Sequence, residues 1–292
     1  MALLRKLNKK LIALLAITLV GIVLAAWAFL IEPAMITVSR HTITIPRWHA
    51  AHQNLKIAIL TDLHVGAPHI SVEKLKQVVE RTNTEAPDAI VILGDLVIQD
   101  VVGGKFVEPE VIADELRNLR APLGTIAVLG NHDWWLDGGR VTRTLREARI
   151  TVLENDVHQV ERNGQTFWFA GLGDLWTRGA DIKETLGKIK TDDPAIILTH
   201  NPDVFPDVPS RVSLTLAGHT HGGQVNLPLL GRPVVPSKFG QRYATGHVVE
   251  NGRHLYVANG VGTSIIPVRF RVPPEIVILT LQTENTSDLV PR

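Results

Sequence analysis

Five short apolar runs in this chain each end in residues able to hold a divalent metal. Residues 56–60 lead into Asp62-Leu63-His64, residues 89–93 into Gly94-Asp95, and residues 125–129 into Gly130-Asn131-His132-Asp133. Residues 195–198 lead into Thr199-His200, and residues 213–216 into Gly218-His219-Thr220-His221. Asp, His and Asn offer oxygen and nitrogen donors, which suit Mn, Fe, Zn, Ni or Co rather than Ca or a thiolate zinc site. Hydrolysis of a phosphate ester near neutral pH needs an activated hydroxide, neutralisation of the phosphoryl charge and help for the leaving group. Two divalent ions a few ångström apart supply most of this. The chain has no cysteine, which excludes a disulfide scaffold, a thiolate metal site and a cysteine nucleophile.

A lone histidine at a strand end is ordinarily a satisfied polar residue, so the argument rests on the elements that bring these residues together. Each run is too short and too β-branched for a helix and reads as a buried strand. Ligands at the ends of adjacent buried strands converge on one crevice, where the sheet holds them rigidly. Helical patterns alternate with the first strands: residues 71–84 with Ser71 as N-cap, 108–120, 139–149 and 181–190. The second half is richer in strands, at 166–169, 195–198, 213–216, 246–250, 254–257 and 275–281. Asn251-Gly252 between two of these is a tight hairpin signal. Residues 36–46 read as a strand or a stalk.

Taken in order, the five motifs resemble those of calcineurin-like metallophosphoesterases, over roughly residues 55–281. The resemblance implies an α/β sandwich of four layers, two mixed β-sheets flanked by helices, with metals at one end. It implies that Asp62, His64 and His221 bind one metal and Asn131, His200 and His219 the other, with Asp95 bridging them. His132 then stays off the metals and stabilises or protonates the leaving oxygen. Asp133 either orients His132 or simply stabilises its loop. A metal-bound hydroxide attacks phosphorus in line, and the cofactors are two divalent ions, manganese first, with Fe, Zn, Ni or Co as alternatives.

Beyond the motifs, Gly222-Gly223-Gln224, the 228–246 segment, Gly260, Gly262, Pro267, Arg269 and Pro274-Glu275 resemble the membrane-anchored bacterial branch of this family. That branch includes envelope phosphodiesterases and the UDP-2,3-diacylglucosamine pyrophosphatases of lipid A synthesis. Trp134 and Trp135 either wall the site or pack in the core. Lys238, Arg242 and Arg269 are candidate phosphate or headgroup contacts. The apolar, proline-rich stretch 225–235 forms a lid, dips toward a bilayer, or covers a sheet edge. Protein serine/threonine phosphatases share the metal motifs in an Arg-Gly-Asn-His-Glu context, which Leu129-Gly130-Asn131-His132-Asp133 lacks. A non-catalytic binding protein on the same scaffold is expected to have lost ligands, and none is missing here.

The remaining sequence concerns location. Residues 11–31 carry no charge, a length that matches a bilayer-spanning helix. Arg5, Lys6, Lys9 and Lys10 precede it, whereas Arg40 is the first basic residue after it, so the N-terminus is expected in the cytoplasm of a bacterial inner membrane and the bulk of the chain outside. Ala26-Trp27-Ala28 resembles a signal-peptide cleavage site, but the apolar stretch continues past it, which favours a retained anchor. Arg5-Lys6 also lacks the Arg-Arg of a twin-arginine signal. A net charge of +1 advertises no nucleic acid. The expected organisation is a basic flank at 1–10, a transmembrane anchor at 11–31, a linker or stalk at 32–54, the catalytic domain at 55–283 and a tail at 284–292. Residues 289–292 are identical to those left after thrombin cleavage of a fusion tag and are set aside. The expected partners are the lipid bilayer, through residues 11–31, and a phosphorylated lipid or envelope substrate.

Overall fold

The computed structural model describes residues 9–284; the basic flank up to residue 8 and the tail from residue 285, including 289–292, lie outside the described residues. Twelve strands form two six-stranded sheets. The first sheet has the order β1 (Thr37–Ile45), β12 (Glu275–Thr283), β2 (Leu55–Leu60), β3 (Ala89–Leu93), β4 (Thr125–Val128), β5 (Thr151–Val152). The second has the order β10 (Gly246–Glu250), β11 (Arg253–Val257), β9 (Leu214–Ala217), β8 (Ala195–Leu198), β7 (Gln165–Gly171), β6 (Asp156–Arg162). Strands β2 to β5 are parallel, as are β7, β8, β9 and β11. Fully buried parallel strands read as unbroken apolar runs, which is why the motif-bearing segments carry no polar alternation.

The two sheets pack face to face through Ile57, Ile59, Val91, Leu93, Phe167, Phe169, Ile196, Leu198 and Leu216. Helices α2 (Val72–Thr84), α3 (Pro109–Leu116) and α4 (Asn131–Glu147) bury Leu75, Val78, Ile112, Leu116, Val141 and Leu145 against the outer face of the first sheet. The short helix α5 (Ile182–Gly187) and the 202–207 turn cover the second. Ser71 caps α2 by accepting from the Lys74 N–H. The fold is therefore the four-layer arrangement that the resemblance implied.

Residues 37–45, read as a strand or a stalk, are a full strand of the first sheet, parallel to β12 over nine residue pairs, so the sheet begins ahead of residue 55. Their polar alternation is that of an edge strand, whose partner lies over 200 residues away along the chain. Helix α4 begins at Asn131, eight residues before the expected 139, because the Asp133 carboxylate accepts the Gly130 N–H and caps the helix there. Its backbone breaks at Asp137, so residues 139–147 form the second part of a kinked element.

The apolar segment is helix α1 (Lys9–Ala26), continued by a π turn at Trp27–Ile31 and a 3-10 turn at Glu32–Ala34. Leu11–Ala34 is long and apolar enough to cross a membrane, and its apolar part stands almost wholly exposed. Its C-terminal end is fastened to the body. Glu32, itself buried, accepts from Trp27 Nε1 at 2.7 Å and from the Val272 N–H at 2.6 Å. The Ala28 carbonyl accepts the Arg269 N–H at 2.9 Å, and the Phe29 carbonyl lies 2.9 Å from His69 Nε2. Register fixes which end of the sandwich this is. Strand β12 runs antiparallel to β2, with Val277 opposite Ile59, and β1 starts beside Glu275. The apolar helix therefore leaves the body at the end where β2 runs into Asp62.

Candidate metal centre

Three overlapping groups of side chains gather at that end: Asp62, His64 and His221; His64, Asp95 and His132; and Asp95, His200 and His219. Within each group the donor atoms lie within 4.8 Å of one another. His64 Nε2 is 3.3 Å from His221 Nε2, which is 3.3 Å from Asp62 Oδ1. His200 Nε2 is 3.2 Å from Asp95 Oδ2 and 3.1 Å from His219 Nδ1. The same Asp95 Oδ2 is 3.6 Å from His64 Nε2, so it stands between the two clusters. Donors that surround one ion at ~2.1 Å lie roughly 3.0–3.4 Å apart for octahedral or tetrahedral angles. The observed spacings fall in or close to that range.

Backbone geometry aims these side chains. Asp62, His64, Asp95, His219 and His221 all take positive φ, between 42° and 69°, immediately after their strands. Such conformations are uncommon for residues other than glycine and concentrate at functional sites. The ring N–H at His64 Nδ1 donates to the Val97 carbonyl at 3.1 Å, and that at His200 Nδ1 donates to the Leu93 carbonyl at 2.7 Å. Each bond fixes the ring orientation and turns Nε2 toward the cluster. The Asp62 carboxylate is held by Thr61 Oγ1–H at 2.8 Å and by the His219 N–H at 3.0 Å. Gly218 has no alternative, since a Cβ there would collide with Thr61 Oγ1 and Asp62 Oδ2.

Metal fit follows from what protein alone leaves unsatisfied. Asp62 Oδ1, Asn131 Oδ1 and His219 Nε2 are buried without a hydrogen-bond partner. Burial holds His64 down to about 4, and holds His221 well below its ordinary value, so both rings are neutral. Two neutral imidazole nitrogens facing each other at 3.3 Å have the spacing of two ligands to one cation. Burial would lower His200 as well, but Asp95, Asp62 and Asp174 outweigh it and raise it to about 10. Burial would raise Asp95, yet His200, His64 and His132 hold it well below the usual carboxylate range. The proton favoured on His200 marks a point where positive charge is wanted. The donor set, its spacing and its charge therefore fit divalent ions.

The other expected site residues fall at several distances from this cluster. His132 is beside it, with Nε2 4.0 Å from Asp95 Oδ2 and 13% of its side chain exposed. Asp133 does not orient His132: its carboxylate accepts the N–H groups of Asp95, Leu96, Val97 and Gly130, tying the second and third motif loops together. Of the two tryptophans, Trp134 packs on the core under the Arg178 guanidinium, while Trp135 is 54% exposed with its ring edge-on to His132 at 4.9 Å. Trp176, which the sequence reading missed, stacks on Trp135 at 6.4 Å and meets His219 edge-on at 4.4 Å. Asp174 holds Trp176 in place by accepting its N–H at 3.1 Å. The available signal was Gly173-Asp174, which follows the end of β7 much as Gly94-Asp95 follows β3.

Arg269 is a correction. It is wholly buried, and its guanidinium donates to the carbonyls of Asn259, Gly260, Gly262 and Val272, so it has no group free for phosphate. Arg242 forms a bidentate pair with Glu250 at 2.7 and 2.8 Å, and Lys238 folds its ammonium over the Phe239 ring at 5.0 Å. Among the described residues, no hydrogen bond or ion pair joins either to the Asp95 cluster.

Residues 55–223 match the calcineurin-like phosphoesterase family. The chain is a calcineurin-like phosphoesterase. It is 33% identical to the uncharacterized metallophosphoesterase YkuE of Bacillus subtilis, over 89% of this chain and 90% of that one. It is 32% identical to the phosphodiesterase YaeI of Escherichia coli, over 86% and 90%. It is 28% identical to the UDP-2,3-diacylglucosamine pyrophosphatase LpxG of Chlamydia trachomatis, over 87% and 91%. This calcineurin-like chain is thus a phosphoester-hydrolysing enzyme with His and Asp clusters able to hold metal.

Proposed function

We propose that this enzyme is a membrane-anchored, dinuclear metal-dependent phosphohydrolase that cleaves a phosphodiester or pyrophosphate bond in a lipid-linked or cell-envelope substrate. The observation that carries this reading is positional. The metal-grade donors sit at the end of the sandwich from which the apolar helix emerges, so anchoring would turn the site toward the lipid surface. Confinement near a bilayer raises the effective concentration of the enzyme against membrane substrates.

Two divalent ions, manganese first, supply phosphoryl charge neutralisation and an acidified water when bound. Asp62, His64 and His221 would hold one, Asn131, His200 and His219 the other, and Asp95 would be shared. His132, off both sets, offers Nε2 to the leaving oxygen as hydrogen-bond donor or proton source. Trp135 and Trp176 wall the approach with aromatic faces suited to an acyl, sugar or base group. Asp133 keeps the Asp95 and Asn131 loops in register without touching substrate.

A second reading is UDP-2,3-diacylglucosamine pyrophosphatase activity, favoured by the likeness to LpxG. Topology separates the two. Lysine and arginine placement favours a domain outside the inner membrane, with the N-terminus in the cytoplasm, whereas a UDP-linked lipid is met inside. Reporter fusions to the domain, together with hydrolysis assays on the full chain in vesicles, test both readings. Wild type is expected to cleave bis-p-nitrophenyl phosphate and a vesicle-borne lipid diphosphate, and Asp95→Ala neither. Cleavage of soluble diesters alone would contradict the lipid reading.

A further inference from the structure

Several large apolar side chains stand exposed near the metal end, away from α1. Leu229 and Leu230 form the tip of a turn closed by paired Leu227 and Gly231 backbones, and Val234 follows it. Ile265, 67% exposed, and Ile266 form a second tip, and Val102 and Phe106 a third. Scattered exposed apolar residues need no explanation, but contiguous ones do. These tips are joined. The Val102 N–H donates to the Ile265 carbonyl at 2.9 Å, and the Gln224 side chain donates to Ser264 and Ile266 carbonyls. Asn226 N–H donates to the Phe270 carbonyl, one residue from Arg269, whose own N–H bonds the Ala28 carbonyl of the apolar helix. The shelf is thus continuous with the point where the helix leaves the body.

Two further facts bear on what covers it. Leu229 and Ile265 take φ of 68° and 60°, a costly conformation for a branched residue, and neither gains core burial from it. Between Asp207 and Glu275, Glu250 is the only acidic residue, against seven Lys and Arg. Lys105, Lys238 and Arg271 are exposed beside the tips. The 227–234 and 264–268 tips carry no carboxylate of their own and have exposed Lys238 and Arg271 nearby, which matches the boundary between acyl chains and anionic headgroups; at the third tip Lys105 is accompanied by exposed Asp100 and Glu108.

We propose that the tips at 102–106, 227–234 and 264–268 insert into the headgroup–acyl boundary of an anionic bilayer. This second contact, beside the helix, holds the metal-bearing end against the lipid surface. The inference rests on the anchored reading above, and the test separates the two. The chain has no native cysteine, so single labels report one site each. Leu229→Cys, Ile265→Cys, Val20→Cys and Asn163→Cys in the full chain would each carry an environment-sensitive fluorophore in phosphatidylglycerol-containing vesicles with doxyl-labelled lipids. Asn163 lies in the turn at the opposite end of the sandwich and serves as the unshielded control. Labels at 229 and 265 are expected to lose about half or more of their emission to the shallow quencher, as interfacial insertion requires, and 163 none. Quenching at 20 without quenching at 229 and 265 overturns the shelf and keeps the anchor. Quenching at 229 and 265 without quenching at 20 supports the shelf and overturns the anchor. Quenching at none of the three overturns both. Labels at 229 and 265 shielded from water yet unquenched by lipid point to a protein cover and overturn the proposal.

Discussion

Asp133 and His132 are neighbours in sequence with opposite tasks. The Asp133 carboxylate satisfies four buried backbone N–H groups, against burial and the charge of Asp95, which together push it up to about 7. Removing it leaves those donors unpaired, each orphan costing about 1–3 kcal/mol. Asp133→Ala is therefore expected to lower unfolding free energy by about 3 kcal/mol or more, read from chemical denaturation, and to lose metal as its loops separate. His132→Ala is expected to reduce diester turnover by about 10²–10⁴-fold while leaving metal content and stability near wild type. Near-normal turnover in His132→Ala would remove it from the chemistry. The same contrast explains what was readable beforehand. The types and order of Asp62, His64, Asp95, His200, His219 and His221 marked residues that the fold gathers at one end, whereas the Asn-His-Asp turn alone left the bonding of Asp133 open.

At the level of elements, the parallel strands were legible because burial on both faces leaves unbroken apolar runs. Strand β1 was legible only as one of two alternatives, since an edge strand alternates like an exposed stalk and its partner is remote. Trp176 was missed because a tryptophan in a loop has no periodicity to betray it. Arg269 was misread for a related reason: charge in sequence suggests a surface, yet here it clamps the 259–262 loop, which lies on Asp62 through the Gly262 N–H to Asp62 carbonyl bond at 2.6 Å. That loop and the end of the apolar helix meet at one residue. Arg269→Ala is expected to cost about 3 kcal/mol or more, because several buried carbonyls lose their donor together. Metal affinity should fall with it, measured by titration of the metal-free protein. Unchanged stability would mean that water replaces the guanidinium without loss.

Across the whole molecule, strand register puts the helix exit, the metal donors and the apolar tips at one end of the sandwich, and the β6–β7 turn at the other. Such a cluster of buried imidazoles and carboxylates is held most cheaply with cations in place, so metal and stability are linked. At metal a thousand-fold above its dissociation constant the linkage is worth about 4 kcal/mol per ion. Chelation is expected to lower the melting temperature by several degrees, with recovery on adding Mn. A melting temperature indifferent to chelator would indicate that the cluster is satisfied by protons. The most direct measurement is elemental analysis of the purified full chain alongside Asp95→Ala, with diester turnover on the same samples. Two divalent ions per wild-type chain, with metal and turnover both lost in Asp95→Ala, is the predicted result. Full turnover in wild type carrying no stoichiometric metal would contradict it.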